Sequence, residues 1–141
     1  MTSAESSPVD PATRPLIGLT CYVEAVDRQN VGILLDSFHM NVEEDDLGDA
    51  IRTAGKHLTH FHVGETNRKL PGTGHIDWRS VGRALRDIDY RGAVVMEPFV
   101  LAQCQVAQDI YVWRDLSEGA DERGLDAALV RSVGFLQHAF A

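Results

Sequence analysis

Cysteine is scarce in this sequence. Its two thiols, Cys21 and Cys104, are widely spaced and form no metal-type pair, which argues against a structural zinc site built on thiolates. Two separated thiols without a signal peptide suit a reducing cytoplasm, and each reads as a small buried or half-buried hydrophobe. Positive charge is also in short supply. Thirteen Lys and Arg stand against 21 Asp and Glu, for a net charge of −8. An acidic surface repels phosphate backbones and anionic lipid, so nucleic acid and membrane surface are poor partners. No apolar run approaches the roughly 20 residues of a membrane-spanning helix. The opening MTSAESSPVDPATRP has no apolar segment of the secretory kind, and residues 1–15 read as a disordered tail.

What is present is the composition of a globular α/β domain. Of 141 residues, 44 % are hydrophobic and 24 % charged, values that fit one folded unit. Order is expected from about Leu16. LIGLTCYVEAVDRQN places Leu19, Tyr22, Val23 and Val26 at helical spacing. VGILLD, 31–36, is apolar on both faces, as in a strand of a helix-covered parallel sheet. The acidic cluster of NVEEDDLGDAIRTAGKH opens a helix expected to run to about Gly55, because carboxylates suit helix N-termini. LTHFHV, 58–63, is a second strand, followed by the Gly-rich loop GETNRKLPGTGHID. A helix is expected over 78–90, capped by Asp77, then a strand over 92–97 closed by Pro98. The last helix, GLDAALVRSVGFLQHAF, sets Leu125, Leu129, Val133 and Leu136 on one face. Strands alternating with helices imply parallel strands.

The strands end in chemistry. Asp36, His62 and Glu97 close the three apolar runs, 26 and 35 residues apart, each about one strand–helix unit. In a parallel sheet all three fall at the C-terminal edge, where α/β folds place their sites. Taken singly, Asp36 reads as a helix cap, His62 as a core histidine and Glu97 as an ion-paired strand end. Together they make a mixed oxygen and nitrogen ligand set for Mn²⁺ or Mg²⁺, with Co²⁺ or Zn²⁺ also compatible. His60 shares a face with His62, one layer deeper. His39, just past Asp36, is placed to reach a bound polyol. Arg68, in the Gly-rich loop, can offer forked hydrogen bonds to hydroxyls. Glu65, Asn67 and His75 carry no assigned role, and Trp78 and Trp113 read as packing residues.

The motifs LLDSFHMNVEE, HFHVGETNRKLPGTG, GAVVMEPFV and DIYVWRDLSEGADE resemble the ketose 3-epimerases of the D-tagatose and D-psicose type, within the xylose isomerase-like TIM barrels. The likeness runs from about Val26 to the C-terminus. It implies a divalent ion, usually Mn²⁺, held by Glu, Asp, His and Glu from four strands. Asp36, His62 and Glu97 match three of these. It also implies proton transfer at the carbon beside the carbonyl of a keto-sugar, through an enediolate and between two glutamates, of which Glu97 matches one. His39 matches the substrate-orienting histidine and Arg68 the arginine of the family's NR pair.

A closed barrel takes at least about 200 residues, more than this sequence has. The fold expected is therefore a partial TIM barrel: three parallel strand–helix units corresponding to the last three of eight, preceded by one helix, over residues 16–141. The other metal-binding glutamate has no match. Glu24 is the nearest candidate and sits inside the first helix. Three functions follow as expectations: a divalent-metal-dependent ketose 3-epimerase that is incomplete in this chain alone, a non-catalytic half-barrel, or an interaction module whose open sheet pairs as a homodimer or with a complementing N-terminal half. A hydroxypyruvate isomerase-like activity is the near enzymatic alternative.

Overall fold

A computed structural model describes residues 15–141. The tail expected over residues 1–15 falls, apart from Pro15, outside the described residues. The order of elements is α1 (Pro15–Val26), β1 (Ile33–Asp36), α2 (Ser37–Glu43), α3 (Leu47–Ala54), β2 (Leu58–Val63), α4 (Trp78–Asp87), β3 (Ala93–Met96), α5 (Gln105–Asp109) and α6 (Glu122–Phe140), with a 3₁₀ turn at Gly55–His57. The strands form one parallel sheet in the order β1-β2-β3. This is a mixed α/β fold and an arc of a barrel.

Register fixes which side chains share a face. Leu34 pairs with His60, Asp36 with His62, and His62 in turn with Val95. Residues two apart on a strand point the same way, so Leu34, Asp36, His60, His62 and Val95 line one face. Glu97 follows on that face, because its N–H donates to Val63 O at 3.2 Å and extends the ladder one residue beyond β3. The other face carries Ile33, Leu35, Phe61 and Val63. It packs under α3 and α4 with Ile51, Ala54, Val81, Ala84 and Leu85. Phe61 is wholly buried at its centre. Among the described residues the first face has no such cover: Leu34 is 51 % exposed and Val95 39 %.

The acidic segment does not make one helix. It breaks at Glu44–Asp46, where Glu44 is extended and Asp46 caps α3 by accepting from Asp49 N–H at 2.8 Å. An Asp side chain competes with the backbone for that donor, which starts a new helix and ends the old one. Asp77 caps α4 as expected, accepting from Ser80 N–H at 3.0 Å. Helix α6 turns a different stripe inward from the one expected. Ser132, Leu136 and Ala139 are buried while Leu129 and Val133 are exposed. The reason lies at Gly82, where the backbone of α6 comes so near α4 that an added Cβ would sit 2.6 Å from Ala139 O.

Two expectations about packing are corrected. Cys21 and Cys104 are both exposed rather than buried or half-buried. Helix α1 is held by Leu16 and Val23, leaving Cys21 on a side where Leu19 and Tyr22 are exposed too. Cys104 precedes the short α5 at the surface. Trp113 does not pack in the core either. It is 85 % exposed and lies against Tyr111, with ring centroids 5.4 Å apart. Trp78 is buried, as expected.

Candidate metal centre

The site is built from strand ends. Asp36 is the last residue of β1 and the N-cap of α2, and its two oxygens face different ways. Oδ1 accepts from Phe38 N–H at 2.8 Å and His39 N–H at 3.4 Å. Oδ2 lies 3.9 Å from His62 Nδ1. The capping interpretation and the ligand interpretation thus describe one carboxylate. From the far side Glu97 Oε2 comes to 3.4 Å from the same Nδ1. One donor atom from each of Asp36, His62 and Glu97 lies within 4.8 Å of the others.

That separation suits one cation. Two donors about 2.1 Å from an ion lie about 3 Å apart at right angles and about 4.2 Å apart across it. The observed 3.4 and 3.9 Å fall between these limits. All three donor atoms lie within 4.8 Å of one another, and Glu97 is the most exposed of the three. Among the described residues no Lys or Arg pairs with Asp36 or Glu97, so a neighbouring cationic side chain does not neutralise them. Two carboxylates and one imidazole, with no thiol, form an oxygen-rich set for a hard or borderline divalent ion.

Ser37 ties the strand ends together, a role that sequence reasoning missed. Its buried hydroxyl donates to Gly64 O at 2.7 Å and accepts from Gly64 N–H at 2.9 Å. That double bridge joins the residue after Asp36 to the second residue after His62. Nothing in a lone Ser following a strand distinguishes such a clamp from a solvated helix start.

The other candidates lie outside the cluster of three. His60 stands beneath His62, ring centroids 4.9 Å apart and edge to face, and is outside the cluster of three. His39 is exposed on α2 and lines a groove with Leu16, Leu34 and Asp36. Arg68 lies in the loop of residues 64–77, with a left-handed φ of +67°. Its guanidinium carbon sits 3.5 Å above the Phe38 ring centroid, and its Nε is buried with no hydrogen-bond partner. Beside it, Lys69 Nζ donates to Glu118 Oε1 at 2.8 Å. This hydrogen bond, then the Lys69 charge, holds the Glu118 carboxyl below its ordinary value. Glu65, given no role from sequence, is the largest surprise. Its carboxylate is fully buried, and it accepts from Gly72 N–H and Trp78 Nε1–H, both at 2.8 Å, and from Ile76 N–H at 3.4 Å.

Comparison with known proteins identifies the family of the fold. Residues 19–118 match the family described as xylose isomerase-like TIM barrel. The D-psicose 3-epimerase of Ruminiclostridium cellulolyticum is 53 % identical over 117 residues, covering 83 % of this chain and 40 % of the relative. The D-psicose 3-epimerase of Agrobacterium fabrum is 54 % identical over 114 residues, covering 81 % of this chain and 39 % of that protein. A crystal structure of a D-psicose 3-epimerase in the presence of D-fructose superposes with a TM-score of 0.86 at 49 % identity, over 89 % of this chain and 43 % of that one. The chain thus spans about 40 % of the length of the curated relatives it matches. Among the described residues no helix is long and apolar enough to cross a membrane. A three-stranded parallel arc, a candidate ligand triad at its C-terminal edge and these likenesses lead to one assignment: the chain belongs to the xylose isomerase-like TIM barrel family, as a partial barrel similar to the D-psicose 3-epimerases.

Proposed function

We propose that residues 16–141 supply the last three of eight strand–helix units of a ketose 3-epimerase, together with one side of its active site. The observation that carries this reading is the convergence of Asp36, His62 and Glu97 on the uncovered face of the sheet. Asp36 Oδ2, His62 and Glu97 are the residues that would hold a divalent ion, Mn²⁺ first and Mg²⁺ or Co²⁺ next. Such an ion, when bound, supplies Lewis acidity toward the carbonyl of a keto-sugar. Glu97 is the acid–base residue on its side, taking the proton from the carbon beside the carbonyl. His39 and Arg68 orient the sugar hydroxyls.

The chain alone is incomplete for this reaction. Inverting a carbon needs a proton donor on the face opposite Glu97, and the second glutamate that the family resemblance implies has no match in residues 16–141. Its partner in this reading is a complementing N-terminal half-barrel. A homodimer would bring together six strands, short of the eight a closed barrel needs. The setting is cytoplasmic, where two exposed, unpaired thiols stay reduced.

The test is a fusion of residues 16–141 to the unmatched remainder of the Ruminiclostridium cellulolyticum D-psicose 3-epimerase. With Mn²⁺ the fusion is expected to interconvert D-fructose and D-psicose, and Glu97→Gln to abolish turnover. The unfused chain is expected to give none. A folded fusion without activity overturns the reading, and Glu97-dependent activity in the unfused chain overturns its incompleteness.

A further inference from the structure

We propose that Glu65 is a positioning residue, whose buried carboxylate fixes the loop that carries Arg68; this rests on the assignment of Arg68 to sugar binding. Glu65 touches nothing in the metal triad. Among the described residues it also has no ion-pair partner. A fully buried carboxylate without a cationic partner is costly unless backbone and side-chain N–H groups surround it. Here they do, and all come from one direction along the chain: Gly72, Ile76 and Trp78.

The loop wraps the carboxylate closely. A Cβ at Gly74 would lie 2.3 Å from Glu65 Oε2, so only glycine lets the chain pass. Trp78, which donates to Oε1, begins α4 and is buried in the core. The far end of the loop is thereby anchored to a rigid element.

The near end is anchored by the backbone of the same residue. Glu65 N–H donates to Lys69 O, and Glu65 O accepts from Arg68 N–H, both at 2.9 Å. Arg68 sits inside this turn in the left-handed region, where a residue with a Cβ stays only if its surroundings hold it. Its carbonyl accepts from Phe99 N–H at 3.0 Å, and its guanidinium covers Phe38. Glu65 is therefore the residue at which both halves of the loop are tied. Releasing its side chain frees residues 72–77 and leaves the Arg68 turn tied only by the Glu65 backbone and by Phe99.

The position of Arg68 over a ring gives a signature that needs neither sugar nor metal. Protons above an aromatic face are shifted upfield, so the Arg68 Nε–H signal in a ¹H–¹⁵N spectrum of the whole chain reports its place. Phe38→Leu identifies that signal by abolishing the shift. Glu65→Gln is expected to keep a dispersed spectrum, move the Trp78 indole N–H and lose the Arg68 shift. A folded Glu65→Gln protein with the Arg68 signal unmoved overturns the proposal. Gly74→Ala crowds the same carboxylate from the other side and stands in if Glu65→Gln does not fold; an unmoved Arg68 signal there also overturns it. Loss of folding in both makes Glu65 a determinant of the fold and not a positioning residue. Failure of the sugar-binding reading registers separately, as a folded and inactive fusion.

Discussion

Removing the imidazole of His62 is the sharpest test of the metal centre. Asp36 and Glu97 face His62 from two sides, at 3.9 and 3.4 Å, with Glu97 39 % exposed and Asp36 9 %. Their ligand oxygens lie within 4.8 Å of each other, a separation at which two carboxylates repel by about 1 kcal/mol in water and about 3.5 kcal/mol in a surface-like dielectric. A divalent ion reverses the sign of that term, so binding stabilises the fold. At a free Mn²⁺ concentration of 100 times Kd the gain is about 2.7 kcal/mol. For a domain of this size that corresponds to a rise in Tm of about 10 °C. His62→Ala takes away one of three ligands. A loss of at least about tenfold in affinity follows, because even groups that merely orient a ligand are worth about 10–100-fold. At the same Mn²⁺ concentration the stabilisation then falls by about 1.4 kcal/mol or more, and the rise to about 5 °C or less. Thermal unfolding with and without Mn²⁺, for both proteins, measures it. Equal Mn²⁺-induced shifts in the two proteins, or no shift in the parent at millimolar Mn²⁺, refute the assignment.

Three further outcomes follow from the packing and the loops. Ser37→Ala strips both hydrogen bonds from buried Gly64 and should cost about 1–3 kcal/mol in denaturant unfolding; an unchanged midpoint would show that the clamp carries nothing. Gly82→Ala puts a Cβ 2.6 Å from Ala139 O and 2.9 Å from Phe140. Overpacking of about 1–3 kcal/mol should outweigh the gain in helix propensity of about 1 kcal/mol, so a raised Tm contradicts the observed α4–α6 contact. The Glu118 carboxyl is depressed by its hydrogen bond from Lys69. A depressed carboxyl contributes above its unfolded value and loses that contribution as pH falls through the folded one. The Lys69–Glu118 link should therefore open below pH 4.5, and Lys69→Met should return Glu118 to its ordinary titration, followed by NMR.

Much of the fold was legible because burial writes periodicity into a strand. Ile33, Leu35, Phe61 and Val63 face helices and must be apolar, and the runs containing them end where the polar edge begins. The residues of the triad could be found for the same reason: three ligand-type side chains at equivalent strand ends are rare by accident. The two-part acidic helix was not legible, since Glu43–Asp46 favour a helix start and do not say which residue caps it. Nor was the buried stripe of α6, because Leu129, Val133 and Leu136 satisfy the helical period equally well. The crossing at Gly82 chooses among them. Glu65 was invisible for a different cause. A glutamate in a polar Gly-rich loop is ordinarily solvated, and only a chain that folds back around it supplies N–H donors enough to bury its charge.

The sequence by itself determined that parallel strands would alternate with helices and that Asp36, His62 and Glu97 would fall at one edge of the sheet. These follow from local hydrophobic patterning and from the fixed direction of side chains along a strand. Tertiary structure alone decided that Ser37 would bridge to Gly64 and that Glu65 would become the anchor of the Arg68 loop. Each of those depends on hydrogen bonds a few ångströms long between residues distant in sequence or folded back in a loop, and no periodicity along the chain encodes such distances.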